Sequence, residues 1–141
     1  MRLQVTRRYR FAAAHRLHAA AFSEQENQAL YGKCNNPNGH GHDYVLEVSV
    51  TGPVDEATGR LLSPAALDRL VAEEVLAAFD HRNLNAEVPE FVQAPPTTEN
   101  LAQLIRRRLL ERWEELGHGA RLAGIRLRET PRNTFEILEH L

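Results

Sequence analysis

Cysteine and lysine are nearly absent from the sequence, and arginine supplies almost all of its basic side chains. Among 141 residues there is one cysteine, and only one of the 17 basic residues is a lysine. A single cysteine excludes an intrachain disulfide, so we expect a reducing, cytoplasmic setting. No run of about 18 apolar residues is present, and no transmembrane helix is predicted. The first residues lack an apolar stretch, and we expect no signal peptide.

The balance of charges also excludes several classes of partner. The formal net charge of −2 offers no polycation, so neither nucleic acid nor an anionic membrane is an expected partner. No glycine-rich phosphate loop is present, which argues against a nucleotide-binding Rossmann or P-loop fold. With 43% hydrophobic residues, the chain can bury a core, and its length favours one domain over residues 1–141.

Two segments alternate between apolar and polar side chains, the pattern of strands with one buried face. Residues 2–15 follow this pattern, and His15 lies at the end of the buried face. Residues 43–51 follow it too, and His42 and His40 continue the same parity towards the N-terminus. Each strand therefore carries histidine at the edge of its apolar side.

The remaining segments predict an α+β fold. Helices are expected at residues 23–30, with a Ser23–Glu26 capping box, at 63–79, capped by Ser63, and from Thr97 or Thr98 to 116. Further strands are expected at residues 60–62, 120–129 and 134–141. Strand pairs at both ends of the chain with helices between them fit an antiparallel sheet covered by helices on one face.

Three histidines form a candidate metal site. If the first two long strands pair antiparallel, the end of one meets the start of the other, and parity places His15, His40 and His42 on one face. Three imidazoles with an open fourth position are typical of catalytic zinc. The alternative is that the three histidines never meet.

The single cysteine lies six residues before this histidine pair. Cys34 follows the single lysine, Lys33, and precedes the turn-forming residues 35–39. A buried, unreactive cysteine is one interpretation. Near a cation and a divalent metal, however, its pKa would fall and it could act as a general base, a nucleophile or a fourth zinc ligand. The residues alone leave these roles open.

Further polar residues stand where strands and helices end. Asp80 and His81 follow a predicted helix, where a histidine could simply interact with the helix dipole. Glu129 ends the apolar parity of residues 123–127; it either turns to water or binds a guanidine-like ligand edge through two parallel hydrogen bonds. Polar groups at the start of the third helix could also meet a ligand: Thr97, Thr98 and Glu99.

Taken in order, these segments resemble one known family. The resemblance spans nearly the whole chain and is carried by FAAAHRL, YGKCNNPNGHGHDY, VDEATGRLL, FDHRNLN, PTTENLA and RLRETPRN. The chain is similar to 6-pyruvoyl-tetrahydropterin synthases, in the superfamily that includes 6-carboxy-tetrahydropterin synthases of queuosine biosynthesis. The resemblance implies a T-fold whose trimers join their sheets into a barrel and stack as a homohexamer, with active sites between subunits.

The resemblance also implies a reaction and a role for each motif residue. The substrate would be 7,8-dihydroneopterin triphosphate, which loses inorganic triphosphate and rearranges without an external redox cofactor. The implied zinc ligands are His15, His40 and His42, the implied base is Cys34, and the acid-base pair is Asp80 and His81. Glu129 would anchor the pterin ring, with Thr97, Thr98 and Glu99 nearby.

Three alternatives remain beside the pyruvoyl-forming lyase. A 6-carboxy-tetrahydropterin synthase uses the same substrate and releases acetaldehyde; its shorter versions typically show Cys-x3-His-x-His, whereas this chain has Cys-x5-His-x-His. A zinc-stabilised binding module would do no chemistry. A ring-forming protein of the same fold without metal is the third alternative. Asp43, where the family commonly has asparagine, leaves the substrate preference less certain than the metal site.

Overall fold

A computed structural model describes residues 1–37, 39–117 and 119–140 of the chain. Asn38, inside the predicted turn, and Leu141, at the end of the last predicted strand, lie outside these residues. Five strands form one sheet in the order β3-β1-β2-β4-β5. The strands are β1 (Gln4–His15), β2 (His40–Thr51), β3 (Arg82–Asn83), β4 (Arg121–Thr130) and β5 (Asn133–Leu138).

The helices are α1 (Glu24–Tyr31), α2 (Pro64–Val71), α3 (Ala77–Phe79), α4 (Leu84–Glu87) and α5 (Thr98–Glu111). The short helix α4 was not predicted, whereas α1, α2 and α5 begin where the sequence places their caps. The Ser23–Glu26 capping box is present, and Ser63 caps α2. Thr97, not Thr98, caps α5 by accepting a hydrogen bond from Asn100. A π-helical turn, Ala72–Leu76, joins α2 to α3, so the predicted helix at 63–79 is continuous but locally wider.

The apolar face of the sheet packs against the helices, as the predicted α+β architecture requires. The core combines strand residues such as Phe11, Leu46 and Ile125 with helix residues such as Leu67 and Leu101. The opposite face carries charged side chains, and the β1 side chains alternate in burial along the strand. This one-sided sheet confirms the fold class.

Several details differ from the sequence prediction. The third predicted helix ends at Glu111 and is followed by a 3₁₀ turn, Trp113–Leu116, and the last strand ends at Leu138. Residues 60–62 form no strand, because a turn in which Gly59 donates to the Asp55 carbonyl is followed by a bend that turns Leu62 into the core. The two-residue strand β3 was not predicted, and it pairs parallel with β1. A register shift opposite Ser49 and Val50 places Leu122, rather than Ala123, in the core cluster.

Strand pairing brings the predicted site residues to one end of the sheet. In the antiparallel β1–β2 pair, His15 lies opposite His40 and Ala13 lies opposite His42. Strand β2 also pairs antiparallel with β4, whose end carries Glu129. None of the described helices has both the length and the apolar character needed to cross a membrane.

Candidate active site

The three histidines predicted to share a face form a compact cluster. Their ring centroids are 4.6 Å apart for His15 and His40, 5.0 Å for His15 and His42, and 4.6 Å for His40 and His42. One nitrogen of each ring lies within 4.8 Å of the other two. The Nε2 atoms of His15 and His40 are 3.1 Å apart. This spacing lets one ion contact all three imidazoles.

His15, the most buried of the three histidines, is held in place by a backbone carbonyl. His15 is fully buried, and its Nδ1 lies 2.8 Å from the carbonyl oxygen of Pro96. Because a carbonyl only accepts, Nδ1 carries the proton and Nε2 presents a lone pair towards the cluster. Burial lowers the pKa of His15 to about 4, and it lowers the pKa of His40 as well. Both rings are therefore held neutral, the form that binds metal.

The donor set fits a metal ion on grounds of its own chemistry. The Nε2 atom of His42 is buried and has no hydrogen-bond partner among the described residues, which is costly unless a ligand meets it. The contact of His15 with a backbone carbonyl is the second interaction that metal-binding histidines usually make. Three imidazoles suit zinc and other first-row transition metals. His15, His40 and His42 could thus hold such an ion.

A carboxylate stands beside the histidine cluster. Glu129 is only 14% exposed in its side chain, and its Oε1 lies 3.7 Å from Nε2 of His42. The other oxygen, Oε2, accepts a hydrogen bond from the hydroxyl of Thr98, which is buried at the start of α5. Thr97 is occupied as the cap of that helix, and Glu99 is exposed in its first turn. The carboxylate is therefore oriented by Thr98 and keeps acceptor capacity for a ligand.

Tyr44, which the sequence pattern did not single out, packs beside the histidine cluster. Its ring is fully buried, stacks on Phe11 at 5.0 Å and meets the edge of His42. Burial and the nearby negative charge of Glu129 raise the pKa of Tyr44, while the neighbouring Thr98 opposes that shift. An apolar strand position gives no signal of such a role, because parity assigns Tyr44 to the core in either case.

The cysteine occupies a short 3₁₀ turn, Gly32–Asn35, before β2. The carbonyl of Cys34 accepts a hydrogen bond of 2.6 Å from the backbone nitrogen of Leu17, which ties this turn to the segment after β1. Burial, followed by the charge of Glu129, raises the pKa of the Cys34 thiol. The expected lowering is not seen in the chain alone, because Lys33 is exposed and makes no contribution to the shift. A populated thiolate would therefore require a nearby cation such as the metal.

The Asp80–His81 pair is held in a constrained geometry. Asp80 Oδ1 lies 3.0 Å from Nδ1 of His81 and accepts a hydrogen bond of 2.9 Å from the backbone of Ala12. His81 has a φ of 60°, unusual for a residue other than glycine, and its nitrogen donates to the Ala12 carbonyl at 2.6 Å. Such backbone strain concentrates at functional positions. The aspartate therefore orients an imidazole that is 84% exposed.

The structure does not join this pair to the cysteine within one chain. His81 and His42 border the same surface depression of about 530 Å³. Among the hydrogen bonds and ion pairs of the described residues, however, none connects Asp80 or His81 with Cys34 or Glu129. The histidine cluster and Glu129 thus form one group, and the exposed His81 borders the same depression without a direct bond to Cys34 or Glu129.

Comparison with known proteins agrees with the resemblance seen in the motifs. The family model described as 6-pyruvoyl tetrahydropterin synthase matches residues 4–140. A human 6-pyruvoyl tetrahydrobiopterin synthase is 47% identical over 102 residues, which cover 72% of this chain and 70% of the human one. The solved structure of the Caenorhabditis elegans 6-pyruvoyl tetrahydropterin synthase superposes with a TM-score of 0.87 at 35% identity, covering 99% of this chain and 97% of that one.

A weaker relative carries the name of the second activity. An Archaeoglobus fulgidus protein named as a candidate 6-carboxy-5,6,7,8-tetrahydropterin synthase is 33% identical over 94 residues, which cover 67% of this chain and 74% of that protein. The matched span of the family model includes every strand and every predicted site residue. The chain belongs to the 6-pyruvoyl tetrahydropterin synthase family.

Proposed function

We propose that this protein is a zinc-dependent lyase that converts 7,8-dihydroneopterin triphosphate to 6-pyruvoyl-tetrahydropterin and eliminates inorganic triphosphate. The observation that carries the proposal is the 3.7 Å approach of Glu129 to His42. It places a buried carboxylate, suited to a guanidine-like ring edge, beside three imidazoles suited to a metal. The whole chain, residues 1–141, would act as one T-fold domain in the cytoplasm, where its single cysteine stays reduced.

The ring of the substrate is positioned by the carboxylate. Glu129 accepts two parallel hydrogen bonds from the amino group and the adjacent ring N–H of the pterin, and Thr98 fixes the carboxylate plane through its hydroxyl. Thr97 and Glu99 add polar groups at the same helix end. Zinc bound by His15, His40 and His42 would supply Lewis acidity towards the side-chain hydroxyls of the substrate.

Proton transfer is assigned to the remaining residues. The Cys34 thiolate removes a proton from a side-chain carbon, and the bond between carbon and the triphosphate oxygen breaks, so that triphosphate leaves with the electron pair. The remaining hydrogens move within the product, and no oxidant is consumed. His81, oriented by Asp80, exchanges protons with the ring and side chain.

The absence of a hydrogen bond between His81 and Cys34 within the described residues of one chain is consistent with a site shared between subunits. We propose a homohexamer made of two trimers, in which His81 of one subunit approaches Cys34 of a neighbour. The edge strand β5 carries Leu138, whose side chain is 73% exposed, and β3 forms the other edge of the sheet. Continuing the sheet from one subunit to the next would cover both edges.

The related 6-carboxy-tetrahydropterin synthase activity is the second candidate. The Archaeoglobus fulgidus relative favours it, whereas the Cys-x5-His-x-His spacing and the higher identity to the human protein favour the pyruvoyl product. Product analysis after incubation of the zinc-loaded protein with 7,8-dihydroneopterin triphosphate separates them. We expect triphosphate and 6-pyruvoyl-tetrahydropterin. Acetaldehyde and 6-carboxy-tetrahydropterin as the main products would replace the first candidate by the second, and no conversion would leave a binding module.

A further inference from the structure

A cavity of about 780 Å³ lies directly beside the proposed site. Three of its lining residues are chain neighbours of site residues: Arg16 follows His15, Gly39 precedes His40, and Pro95 precedes the Pro96 that holds His15. The cavity is therefore an extension of the site on the side of β1 and β2. Its volume exceeds what the pterin side chain alone requires.

The residues that line this cavity suit an anion. The cationic side chain is Arg16, and His18 offers an imidazole. Further hydrogen-bond donors come from amide side chains: Asn83, Asn85 and Gln93. No aspartate or glutamate belongs to the lining in the described part of the chain. A cavity with a guanidinium and amides but no carboxylate attracts negative charge.

Arg16 is pre-positioned for such a ligand. Its backbone nitrogen donates to Oδ1 of Asn85 at 2.6 Å, and its carbonyl accepts from Nδ2 of Asn85 at 2.9 Å. Its side-chain Nε donates to the carbonyl of Asn35 at 3.1 Å. The two terminal nitrogens of the guanidinium have no hydrogen bond or ion pair to the described residues. A fixed fork with two open donor groups is the geometry that recognises phosphate.

Asn35 also determines which ring nitrogen of His18 carries the proton in the neutral form. The Asn35 side chain is buried, and its nitrogen lies 2.7 Å from the carbonyl of Leu17 and 3.0 Å from Nδ1 of His18. Because the carbonyl only accepts, this atom must be the amide nitrogen, and it donates to both partners. Nδ1 of His18 is therefore the acceptor, and the ring proton of the neutral form stays on Nε2. His18 thus keeps a donor for a ligand in the cavity.

The other arginines near the helices are engaged elsewhere. Arg7 pairs with Asp68, Arg106 with Glu139, and Arg108 and Arg112 with Glu74. Lys33 is exposed and does not line the cavity. Among the described residues around this cavity, Arg16 is thus the cation with unsatisfied donors. Of the two basic residues next to site residues in the sequence, Arg16 and Lys33, the structure therefore favours Arg16 for binding phosphate.

We propose that this cavity binds the triphosphate of the substrate, with Arg16 as its main anchor and His18 as a second donor. This inference rests on the proposed function, in which the triphosphate is joined to the carbon beyond the two hydroxyl-bearing carbons. The triphosphate needs space close to the histidine cluster, and this cavity is lined by Arg16 and Gly39, the chain neighbours of His15 and His40. Asn35 links the phosphate subsite to Cys34, the residue before it.

The test compares two unreactive ligands that differ only in their phosphates. Binding of neopterin and of oxidised neopterin triphosphate to the zinc-loaded full chain is measured by pterin fluorescence in the wild type, Arg16→Met and Arg16→Lys. We expect the triphosphate to improve wild-type affinity, and Arg16→Met to reduce that advantage by about tenfold or more. Neopterin itself should bind all three proteins within about twofold. Arg16→Lys should fall between them, because it keeps the charge but loses the fork.

A matched control is Arg60→Met, which removes an exposed arginine from a distant turn and should leave both affinities unchanged. The proposal is overturned if Arg16→Met keeps the full triphosphate advantage, or if it weakens neopterin equally. If Arg16→Met does not fold, Arg16→Lys provides the test. The assignment is then overturned if Arg16→Lys prefers the triphosphate over neopterin as strongly as the wild type does. If the wild type discriminates through Arg16 but does not turn over the dihydro substrate, the proposed function fails while the phosphate subsite stands.

Discussion

Replacing Glu129 by glutamine removes one charge and one acceptor without changing the size of the side chain. In the structure, Oε2 is already engaged by Thr98, and Oε1 faces the histidine cluster. In the proposed complex, a pterin ring presents two donors to this carboxylate. Glutamine would place an NH₂ group opposite one of these two pterin donors, so that two donors face each other inside a largely buried pocket.

The size of the effect follows from the burial of this group. A hydrogen bond to a charged partner contributes about 1.5 to 3 kcal/mol, and the Glu129 side chain is only 14% exposed, so water replaces little of the loss. This range corresponds to about 10- to 150-fold weaker binding. Neopterin, which carries no phosphate, isolates the ring contribution, and its fluorescence reports the dissociation constant directly.

Two further proteins make the measurement decisive. Glu136→Gln removes a carboxylate from β5 that pairs with the half-exposed Arg126, and it should leave the neopterin affinity unchanged. Thermal unfolding of Glu129→Gln should match the wild type, since the substitution keeps the volume. If Glu129→Gln is folded and binds neopterin within about twofold of the wild type, Glu129 is not the ring anchor and the assignment is refuted.

Three more predictions concern the groups around this carboxylate. Because burial and Glu129 raise the pKa of Cys34, iodoacetamide should alkylate the metal-free protein more slowly than a model thiol at pH 8. Adding zinc, or replacing Glu129 by glutamine, should accelerate the reaction. Equal rates for the metal-free protein, the zinc-loaded protein and Glu129→Gln would contradict these causes of the raised pKa. The pKa of His15 is lowered from 6.5 to about 4 in the folded protein, so on acidification the unfolded chain protonates His15 before the folded protein does. The metal-free protein should therefore lose about 3 kcal/mol of stability as the pH falls from 6.5 towards 4. Denaturant titrations should show a flatter pH dependence in His15→Gln; an unchanged slope would rule His15 out as its source. Thr98→Val should weaken neopterin binding by about 1 kcal/mol and Thr98→Ser should not, and equal affinities would show that the hydroxyl does not orient the carboxylate.

The histidine cluster could be predicted because it depends on two short-range rules. Side chains alternate along a strand, and antiparallel pairing brings the end of one strand to the start of the next. These rules place His15, His40 and His42 together without any knowledge of the helices. Glu129 follows from the same alternation, although the register shift near Ala123 shows that parity can change within a strand.

Other features depend on contacts between distant segments, which the local pattern does not contain. Strand β3 exists because the chain after α3 pairs with Ala13 and Ala14, and its two residues carry no strand signal of their own. Three asparagine side chains that hold the backbone were also missed. Asn27, Asn35 and Asn85 stand in segments rich in polar or turn-forming residues, and only the fold reveals that they bind backbone groups of residues 16–23.

The raised pKa of Cys34 illustrates the same limit. Sequence proximity to Lys33 suggested an activated thiol, but a neighbour in the chain does not have to face the same side. In the structure, the lysine is exposed, and the charge that shifts the pKa of Cys34 is the carboxylate of Glu129. Under the proposed function, activation of this cysteine would depend on a bound metal, whose ligands come from residues at least six positions away.

Release of inorganic triphosphate by the wild type and by Cys34→Ala is the most direct test of the central claim. The zinc-loaded wild type should release triphosphate in step with consumption of 7,8-dihydroneopterin triphosphate. Cys34→Ala should bind neopterin normally, yet release triphosphate at least about 100-fold more slowly, because its general base is gone. Triphosphate release by Cys34→Ala at the wild-type rate, or no release by either protein, would contradict the account.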